Sequence, residues 1–374
     1  MQVMKDLKVV NVYIYGARAT AAGLYRALSK LNSNKQVKGF IVTDSAGNPA
    51  TIWDVPVRSL QEISGLLSAE EKLKVEVYIA TPQLFHEEIR HLLQKAGFRN
   101  LLELTSANEA DIMERYYDLE QMFPSIHKLP FPGKEWSCPD ISVYVASFFR
   151  DKPVGNLPRM PDYMKRLFLG CFLARQSGVN LSKQADFCDD AGDNISFKNP
   201  NRCEMTAHYW IWKNRFDTDD EYVGVYHYRR FLDMSDDDLR RMKANDVDVV
   251  LPFPMIHYPS ALIHHTWYVR EDDWQVMRQV LRELQPEYDA RFDEIFAQPY
   301  FYNYNIMIAK KSVFADYCAW LFPILDTIEE RSEPRGKDRA DRYTAYMSES
   351  LTTLYFMYHQ QDLKIYHTGR LLYT

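Results

Sequence analysis

The chain is poor in cysteine, and its few cysteines are widely spaced. They number five in 374 residues, and no two of them form a CxxC pair. A disulfide framework needs an even set of cysteines, and a zinc knuckle needs paired thiolates at close spacing. We therefore expect neither, and the cysteines are predicted to be buried free thiols.

Long apolar runs and a surplus of positive charge are also missing. No uncharged apolar stretch reaches the ~18 residues of a membrane-spanning helix, and the opening MQVMKDLKVV holds no apolar signal core. Acidic residues outnumber basic ones by 51 to 45, a net charge of −6, which argues against broad nucleic-acid binding. We expect a cytoplasmic protein that binds no nucleic acid, and peripheral contact with the inner membrane face stays open.

Aromatic residues, by contrast, are plentiful. The chain has 25 Tyr, 20 Phe and 7 Trp within an ordinary globular composition that is 46% hydrophobic. Most of them must lie in the core, but Tyr and Trp also suit a polar, planar ligand such as a base or a sugar.

Residues 1–125 alternate between strand-like and helix-like segments. The β-branched run Val9–Tyr15 precedes a helical pattern over Ala19–Leu31, and the alternation continues to Leu104. This pattern predicts βαβ units around a parallel sheet, a Rossmann-like α/β domain. The proline-punctuated stretch 126–139 is predicted to be a linker, and residues 140–374 are predicted to form a second α/β domain.

Gly16 follows the first predicted strand, where a dinucleotide-binding fold places its phosphate loop. The glycine fingerprint is incomplete, because Arg18 stands at its second position, and we do not expect NAD to bind. Asp44 ends the second strand, where an acid would bind a ribose. Two interpretations stay open: a scaffold that binds no nucleotide, or a site in which the Arg18 side chain holds a phosphate.

Polar clusters mark the second domain. The stretch Asp189–Glu204 gathers acids, amides and a glycine into a loop that leads into a helix. Tyr300–Lys311 places Asn305 in a turn before a buried strand, an arrangement that can line a pocket. Two further stretches look less functional: Asp246-Val247-Asp248 precedes a strand and is a poor metal site, and the charged run 331–342 is typical of a solvated loop.

The strongest cluster ends the β-branched strand that begins at Tyr222. His227 and Tyr228 are followed by the adjacent pair Arg229 and Arg230. Ligands bind at the carboxyl ends of strands in open α/β sheets, and guanidinium groups pair bidentately with phosphate oxygens. The pair therefore indicates a diphosphate site, although ion pairs with the nearby run 236–238 are an alternative.

Both halves of the chain resemble known families. Gly39–Asp44, Asp54–Val57 and Leu60 resemble the Rossmann-like N-terminal domain of sugar acyltransferases. The second half resembles a domain of unknown function from capsular and exopolysaccharide gene clusters, regarded as glycosyltransferases. The motif positions that carry this second resemblance are Asp189, Gly192–Ser196, Lys198–Pro200, Cys203, Glu204, Thr206, Tyr209, Trp210, Trp212–Asn214, Tyr222, Gly224 and His227–Phe231.

The resemblance implies a GT-A-like glycosyltransferase that moves a hexose, galactopyranose or galactofuranose, from a UDP-linked donor to a capsular, exopolysaccharide or lipopolysaccharide glycan. The acceptor is a glycan or a lipid-linked saccharide. In this scheme Arg229 and Arg230, with His227, neutralise the leaving diphosphate. The donor is held by Tyr228, Asp189, Asp193, Asn194, Lys198, Asn199, Glu204 and Asn305.

Inverting transfer needs a base for the acceptor hydroxyl. Glu349 is the first candidate and His265 the second, both chosen from position. We expect no required metal, because the arginine pair takes the place of the usual D-x-D motif; Mn²⁺ or Mg²⁺ stays open. Two other classes also stay open: a non-catalytic scaffold of a polysaccharide-assembly complex, and a sugar-nucleotide oxidoreductase that acts through the first domain.

Overall fold

The computed structural model describes residues 9–32, 34–179, 185–333 and 340–374. Residues 1–8, on which the prediction of a missing signal core largely rests, lie outside these ranges. The described strands are β1 (Val10–Tyr15), β2 (Lys35–Val42), β3 (Thr51–Ile52), β4 (Val55–Ser59), β5 (Glu76–Ile79), β6 (Asn100–Glu103), β7 (Ile141–Phe148), β8 (Met164–Leu169), β9 (Phe187–Cys188), β10 (Tyr222–His227), β11 (Arg230–Leu232), β12 (Val249–Pro252), β13 (Met255–Ile256), β14 (Tyr300–Phe301), β15 (Met307–Lys310), β16 (Ile365–Thr368) and β17 (Arg370–Leu372).

The described helices are α1 (Ala19–Leu31), α2 (Leu60–Leu66), α3 (Ala69–Lys74), α4 (His86–Lys95), α5 (Ser106–Glu120), α6 (Cys171–Gln176), α7 (Asn199–Arg202), α8 (Met205–Asn214), α9 (Asp236–Ala244), α10 (His265–Tyr268), α11 (Glu271–Leu284), α12 (Pro286–Ala297), α13 (Lys311–Arg331) and α14 (Tyr343–Tyr358). Short 3-10 helices lie at Gln83–Phe85, Ile126–Lys128, Ser196–Lys198 and Ala261–His264. Within the described residues, no helix combines the length and the apolar composition needed to cross a membrane.

The chain divides into two compact units. The first holds Met1–Met122 and Met255–Ala261, and the second holds Phe123–Pro254 and Leu262–Thr374. This division differs from the predicted one, because residues 126–139 are not a free linker. Ile126 is fully buried in the core of the second unit, and Arg241 donates to the Leu129 carbonyl. Residues 255–261, which were predicted to lie in the second domain, belong to the first unit, where Tyr258 packs on Trp53.

The first unit is built on a six-stranded sheet in the order β3-β4-β2-β1-β5-β6. All neighbouring strands run parallel except the short hairpin of β3 with β4. Strand β1 is apolar and buried from Val12 to Tyr15 because both of its faces are covered there: Val12 and Ile14 lie in one core, Tyr13 and Tyr15 in another. The predicted Rossmann-like parallel sheet is confirmed, and β4 is a strand that the sequence pattern did not predict.

The second unit is built on a mixed sheet in the order β16-β12-β15-β10-β7-β8-β9, with β11 and β17 joined to it at β10. Strands β7, β8, β9 and β10 are parallel, and β15 runs antiparallel between β10 and β12. Ala146 near the end of β7 stands opposite His227 at the end of β10. The carboxyl ends of these central strands therefore meet at one edge, where an α/β sheet binds its ligand.

Helix α14 lies in the interior of the second unit. From Tyr343 to Met357 its residues are buried, with the exception of the half-buried Tyr346. A helix that is buried on all sides carries apolar and small residues around its whole circumference. The same helix carries Glu349, whose side chain is consequently held inside the protein and not in solvent.

Candidate active site

A cavity of about 830 Å³ opens at the carboxyl ends of β7 and β10, entirely within the second unit. Volumes of this size are typical of small-molecule sites. Its walls come from the end of β7, from α6, from the segment between α7 and α8, from the β10–β11 turn, and from the start of α14. The polar and aromatic lining residues are Phe148, Phe149, Arg150, Asp151, Gln176, Asn199, Glu204, His227, Tyr228, Arg229, Arg230, Tyr304, Arg342, Tyr346 and Glu349.

One wall of the cavity is cationic. Arg229 and Arg230 line it from the β10–β11 turn, and Arg342 lines it from the residue before α14. In the part of the chain that the structure describes, the buried Nε of Arg229 has no hydrogen-bond partner. A buried donor without a protein partner is costly, so this atom points to a ligand acceptor.

The alternative of ion pairs between this arginine pair and the run 236–238 is wrong. Asp237 pairs with Arg240 at 2.9 Å, and Asp238 pairs with Arg241 at 2.9 Å, both within α9. Asp237 and Asp238 thus neutralise Arg240 and Arg241 of their own helix.

Arg230 is held by an aromatic ring. Its guanidinium carbon lies 4.4 Å from the ring centre of Tyr304, and that of Arg370 lies 4.8 Å from the same ring. Burial lowers the pKa of Arg230, although the group stays charged. The ring stabilises the two cations by cation–π contact, and of the two Arg230 lines the cavity.

A buried carboxyl group also lines the cavity. Glu349 accepts a hydrogen bond from the backbone N–H of Tyr304 at 2.8 Å on Oε1, and its Oε2 lies 3.4 Å from Nε2 of His264. Burial raises the pKa of Glu349 to about 8, with help from the negative charge of Glu204. A carboxyl group with a pKa in this range is a much stronger base than an exposed glutamate.

Glu204 is the second carboxyl group of the cavity. Its Oε1 accepts a hydrogen bond from Nδ2 of Asn305 at 2.7 Å, and the same amide also donates to Ser348. Burial raises the pKa of Glu204. Glu204 lines the cavity, so its expected role in binding the donor stays a prediction.

The turn before β15 fixes both carboxyl groups at once. Tyr304 and Asn305 have φ angles of 74° and 50°, in the left-handed region that non-glycine residues rarely adopt. This conformation aims the Tyr304 N–H at Glu349 and the Asn305 side chain at Glu204. Backbone strain of this kind clusters at functional sites.

His227 ends β10 beside the arginine pair. Burial, and then the charge of Arg230, lower its pKa to about 3, so the imidazole is neutral at pH 7. Its buried Nε2 has no hydrogen-bond partner among the described residues. A neutral imidazole can offer one hydrogen bond to a ligand, but it adds no positive charge against a diphosphate.

Most of the loop Asp189–Lys198 does not reach the cavity, which corrects the expectation that it holds the donor. Asp189 is buried and accepts from the backbone N–H groups of Gly170 and Cys171 at 2.9 and 3.0 Å. Asn194 donates to the carbonyls of Asp190 and Gly192 and closes its own turn.

Two more residues of this loop also have structural partners. Lys198 pairs with Asp326 and Glu329 of α13 at 2.8 and 2.9 Å. Asp193 accepts from the Tyr209 hydroxyl at 3.1 Å. The carboxyl and ammonium groups of the loop therefore fix the fold, whereas Asn199, at the start of α7, does line the cavity.

His265 is placed away from the cavity, which corrects its choice as the second candidate base. Its ring stacks on Trp274 with centroids 4.1 Å apart, and its Nδ1 lies 2.6 Å from the Leu262 carbonyl. The neighbouring His264 is the histidine that reaches Glu349. One residue along a helical turn changes the direction of a side chain by about 100°, so position along the chain alone could not separate the two.

Several other residues that line the cavity were not predicted from the sequence, because they lie in or beside segments that connect helices and strands. Arg342 was grouped with a solvated run, of which residues 334–339 lie outside the described residues. Asp151 accepts from the Phe148 backbone N–H at 2.6 Å and orders the segment after β7, and burial raises its pKa. Phe148 is the last residue of β7 and Phe149 follows it, so their place at the end of a strand is the signal that could have identified them.

Two of the three candidate residues of the first unit, Gly16 and Asp44, have structural roles. Gly16 has φ +127°, and a Cβ there would come within 2.6 Å of the Ala80 carbonyl oxygen, so glycine is required by strand packing alone. Arg18 precedes α1 with extended backbone, and its side chain does not cap the helix. Asp44 accepts from the Ala46 backbone N–H at 3.0 Å and shapes the turn after β2.

Among the described residues, few side chains are grouped so that they could bind a common metal ion. The one group of three candidate ligands within reach of a common ion is Cys171, Cys188 and Asp190, outside the cavity. Asp190 in this group is already paired with Arg175. Asp248 and Asp246 both form ion pairs with Lys310, at 2.7 and 2.5 Å.

Comparison with known proteins gives one match that bears on function. The chain is similar to the apo structure of the WbbM bifunctional glycosyltransferase, with 26% identity and a TM-score of 0.52 over 62% of this chain. The match covers only 45% of that chain, less than half of its length. No curated protein matches this sequence.

Two other solved structures show weaker likenesses. A Rex-family repressor is 17% identical over 30% of this chain and 60% of its own, with a TM-score of 0.24. The putative oxidoreductase yvaA from Bacillus subtilis is 16% identical over 41% of this chain and 47% of its own, with a TM-score of 0.21. No functional conclusion follows from either.

A family described as a domain of unknown function, DUF4422, matches residues 160–361, which is more than half of the chain and includes most of the cavity wall. The predicted α/β class is confirmed, since the chain shares this fold with a solved glycosyltransferase. The chain therefore belongs to the DUF4422 family.

Proposed function

We propose that the second unit is a GT-A-like glycosyltransferase that moves a hexose from a UDP-linked donor to a growing surface glycan, free or lipid-linked. One observation carries the proposal: a single cavity holds both a buried carboxyl group of raised pKa and a cationic wall, in which the buried Nε of Arg229 has no hydrogen-bond partner among the described residues. The similarity to a bifunctional glycosyltransferase supports the same activity class.

The cationic wall suits the diphosphate of the donor. Arg229, Arg230 and Arg342 supply guanidinium groups that pair with phosphate oxygens. As the bond between the anomeric carbon and the diphosphate oxygen breaks, negative charge grows on that oxygen, and fixed cations stabilise it. We propose that these arginines supply the charge that a divalent metal supplies elsewhere.

Glu349 suits the role of general base. In its ionised form it takes the proton of the acceptor hydroxyl while the acceptor oxygen bonds to the anomeric carbon. The electron pair of the broken bond leaves on the diphosphate. A single displacement of this kind inverts the anomeric configuration, and the Tyr304 N–H holds the carboxylate in one orientation while the proton moves.

The first unit is proposed to be a scaffold. Gly16 and Asp44 are explained by strand packing and by a turn, so neither requires a ligand. An oxidoreductase that acts through this unit has no observation in its favour.

The test uses the purified full chain with UDP-galactose and UDP-glucose as donors. UDP binding is measured by calorimetry with EDTA and with Mn²⁺, and UDP release is measured with saccharide acceptors. We expect UDP to bind in EDTA and Glu349→Gln to abolish turnover while it keeps UDP affinity. Glu87→Gln, an exposed residue of α4, is the matched control. A folded Glu349→Gln variant with full turnover would reject the assignment of Glu349 as the general base.

A further inference from the structure

We propose that Glu204 is a positioning residue whose carboxylate charge makes Glu349 a stronger base. The inference rests on the proposed role of Glu349 in the transfer reaction. It assigns Glu204 to the acid–base chemistry of the cavity instead of to donor binding.

The geometry brings the two carboxyl groups to one place from distant parts of the chain. Glu204 lies just before α8 and Glu349 lies in the middle of α14, and both line the same cavity. The consecutive residues Tyr304 and Asn305 bind them, one through its backbone N–H and the other through its side chain. Asn305 also donates to Ser348, the residue before Glu349, at 2.9 Å. A single strained turn therefore holds both carboxyl groups.

Charges from several elements act on Glu349. The titratable and charged groups that face it are Glu204, His264, Arg230, Arg370, Cys203 and Tyr346. The two arginines favour the ionised form of Glu349, and burial with Glu204 opposes it; the outcome is a pKa of about 8. Glu204 is the carboxylate in this group, so its charge is the one whose removal should lower that value.

Glu204 is stabilised in its ionised form by its own neighbours. Burial raises the pKa of Glu204, and the hydrogen bond from the Asn305 amide and the charges of Arg230 and Arg342 oppose that rise. When Glu204 is ionised, its negative charge makes the ionisation of Glu349 in the same low-dielectric cavity harder. Glu349 then holds its proton at neutral pH, and once ionised it takes a proton from the acceptor hydroxyl more readily.

The first experiment measures the titration of Glu349 directly, without turnover. The full chain carries glutamate labelled with ¹³C at Cδ, and the Glu349 signal is assigned by its loss in Glu349→Gln. We expect a midpoint near 8 in the wild type and a fall of about one pH unit or more in Glu204→Gln. Glu204→Asp keeps the charge and should keep the high midpoint. An unchanged midpoint in folded Glu204→Gln would overturn the inference.

A second variant covers the case in which Glu204→Gln does not fold. Asn305→Ala removes the donor that stabilises ionised Glu204, so the Glu349 midpoint should again fall. An unchanged midpoint in this variant would equally reject the proposal. In the transfer assay, Glu204→Gln should move the acidic limb of kcat to lower pH and reduce the plateau, whereas a merely structural role would leave the limb in place.

The two proposals can fail separately. If Glu349→Gln retains turnover, the base assignment fails, but the titration still reports whether Glu204 controls Glu349. If Glu349→Gln is inactive but the titration midpoint of Glu349 is unchanged in Glu204→Gln, only the positioning role of Glu204 is rejected.

Discussion

Tyr304 donates its backbone N–H to the Glu349 carboxylate across 2.8 Å, and it does so from a left-handed conformation with φ 74°. The contact joins the turn before β15 to the middle of α14. The side-chain ring of Tyr304 packs against Arg230 and Arg370. One residue therefore contacts both the proposed base and the cationic side of the site. The orientation of the base and the placement of the cations are therefore coupled.

Asn305→Ala should lower the free energy of unfolding by about 1–3 kcal/mol, because it leaves the buried Glu204 carboxyl without its donor. Chemical denaturation of the full chain measures the change. Asn100→Ala, at an exposed amide that donates to the Leu73 carbonyl, should cost no more than about 0.5 kcal/mol. Equal losses in the two variants would contradict a special role for the buried amide.

Arg229→Ala should weaken UDP binding by about 10-fold to 100-fold, the equivalent of about 1.5–3 kcal/mol for a hydrogen bond to a charged group. The reason is the loss of a guanidinium whose buried Nε has no protein partner among the described residues. Calorimetry with UDP in EDTA checks it. Arg240→Ala, whose guanidinium is paired with Asp237 in α9, is the matched control and should leave the affinity unchanged.

Glu349→Gln should make the protein less sensitive to alkaline pH. The pKa of Glu349 is about 8 when folded, against 4.5 for a free glutamate. The folded state therefore retains a proton that the unfolded state has lost, and this stabilisation is full below pH 4.5 and disappears as the pH rises through 8. The melting temperature of the wild type should fall more between pH 5 and pH 9 than that of the variant. Parallel curves would show that Glu349 titrates normally.

Gly16→Ala should destabilise the first unit strongly, because a Cβ there would come within 2.6 Å of the Ala80 carbonyl oxygen at a φ of +127°. Gly65→Ala, in the interior of α2 with nothing within 4 Å, should be neutral or stabilising by up to about 1 kcal/mol. Thermal melting with limited proteolysis of the first unit separates the two. A stable Gly16→Ala variant would show that strand packing does not require the glycine.

The sequence was most informative where local pattern and local structure coincide. The helix predicted over Ala19–Leu31 has those bounds in the structure, and the strand that ends at His227 does deliver Arg229 and Arg230 to a cavity. Both predictions rest on periodicity and on the rule that strand ends bind ligands, which depend on neighbouring residues alone.

The sequence was least informative where contacts join distant segments. Lys198 and Asp189 have the residue types of a phosphate and sugar site, but their partners lie on α13 and on the turn before α6. Motif composition cannot distinguish a side chain that binds a ligand from one that binds a remote helix. Similarly, the sequence around Glu349 does not show that α14 is buried on all sides, because that depends on which segments pack around the helix.

The ion pairs of Lys198 and Arg202 with Asp326 and Glu329 tie the loop before α8 to α13. In a saturation mutagenesis screen scored by glycan production, substitutions at Lys198 and Arg202 would be depleted as severely as those at Arg229. Their depletion would reflect the abundance of folded protein and not the rate per molecule. Only a parallel measurement of protein level in the same library would separate the residues that bind substrate from those that merely keep the cavity wall in place.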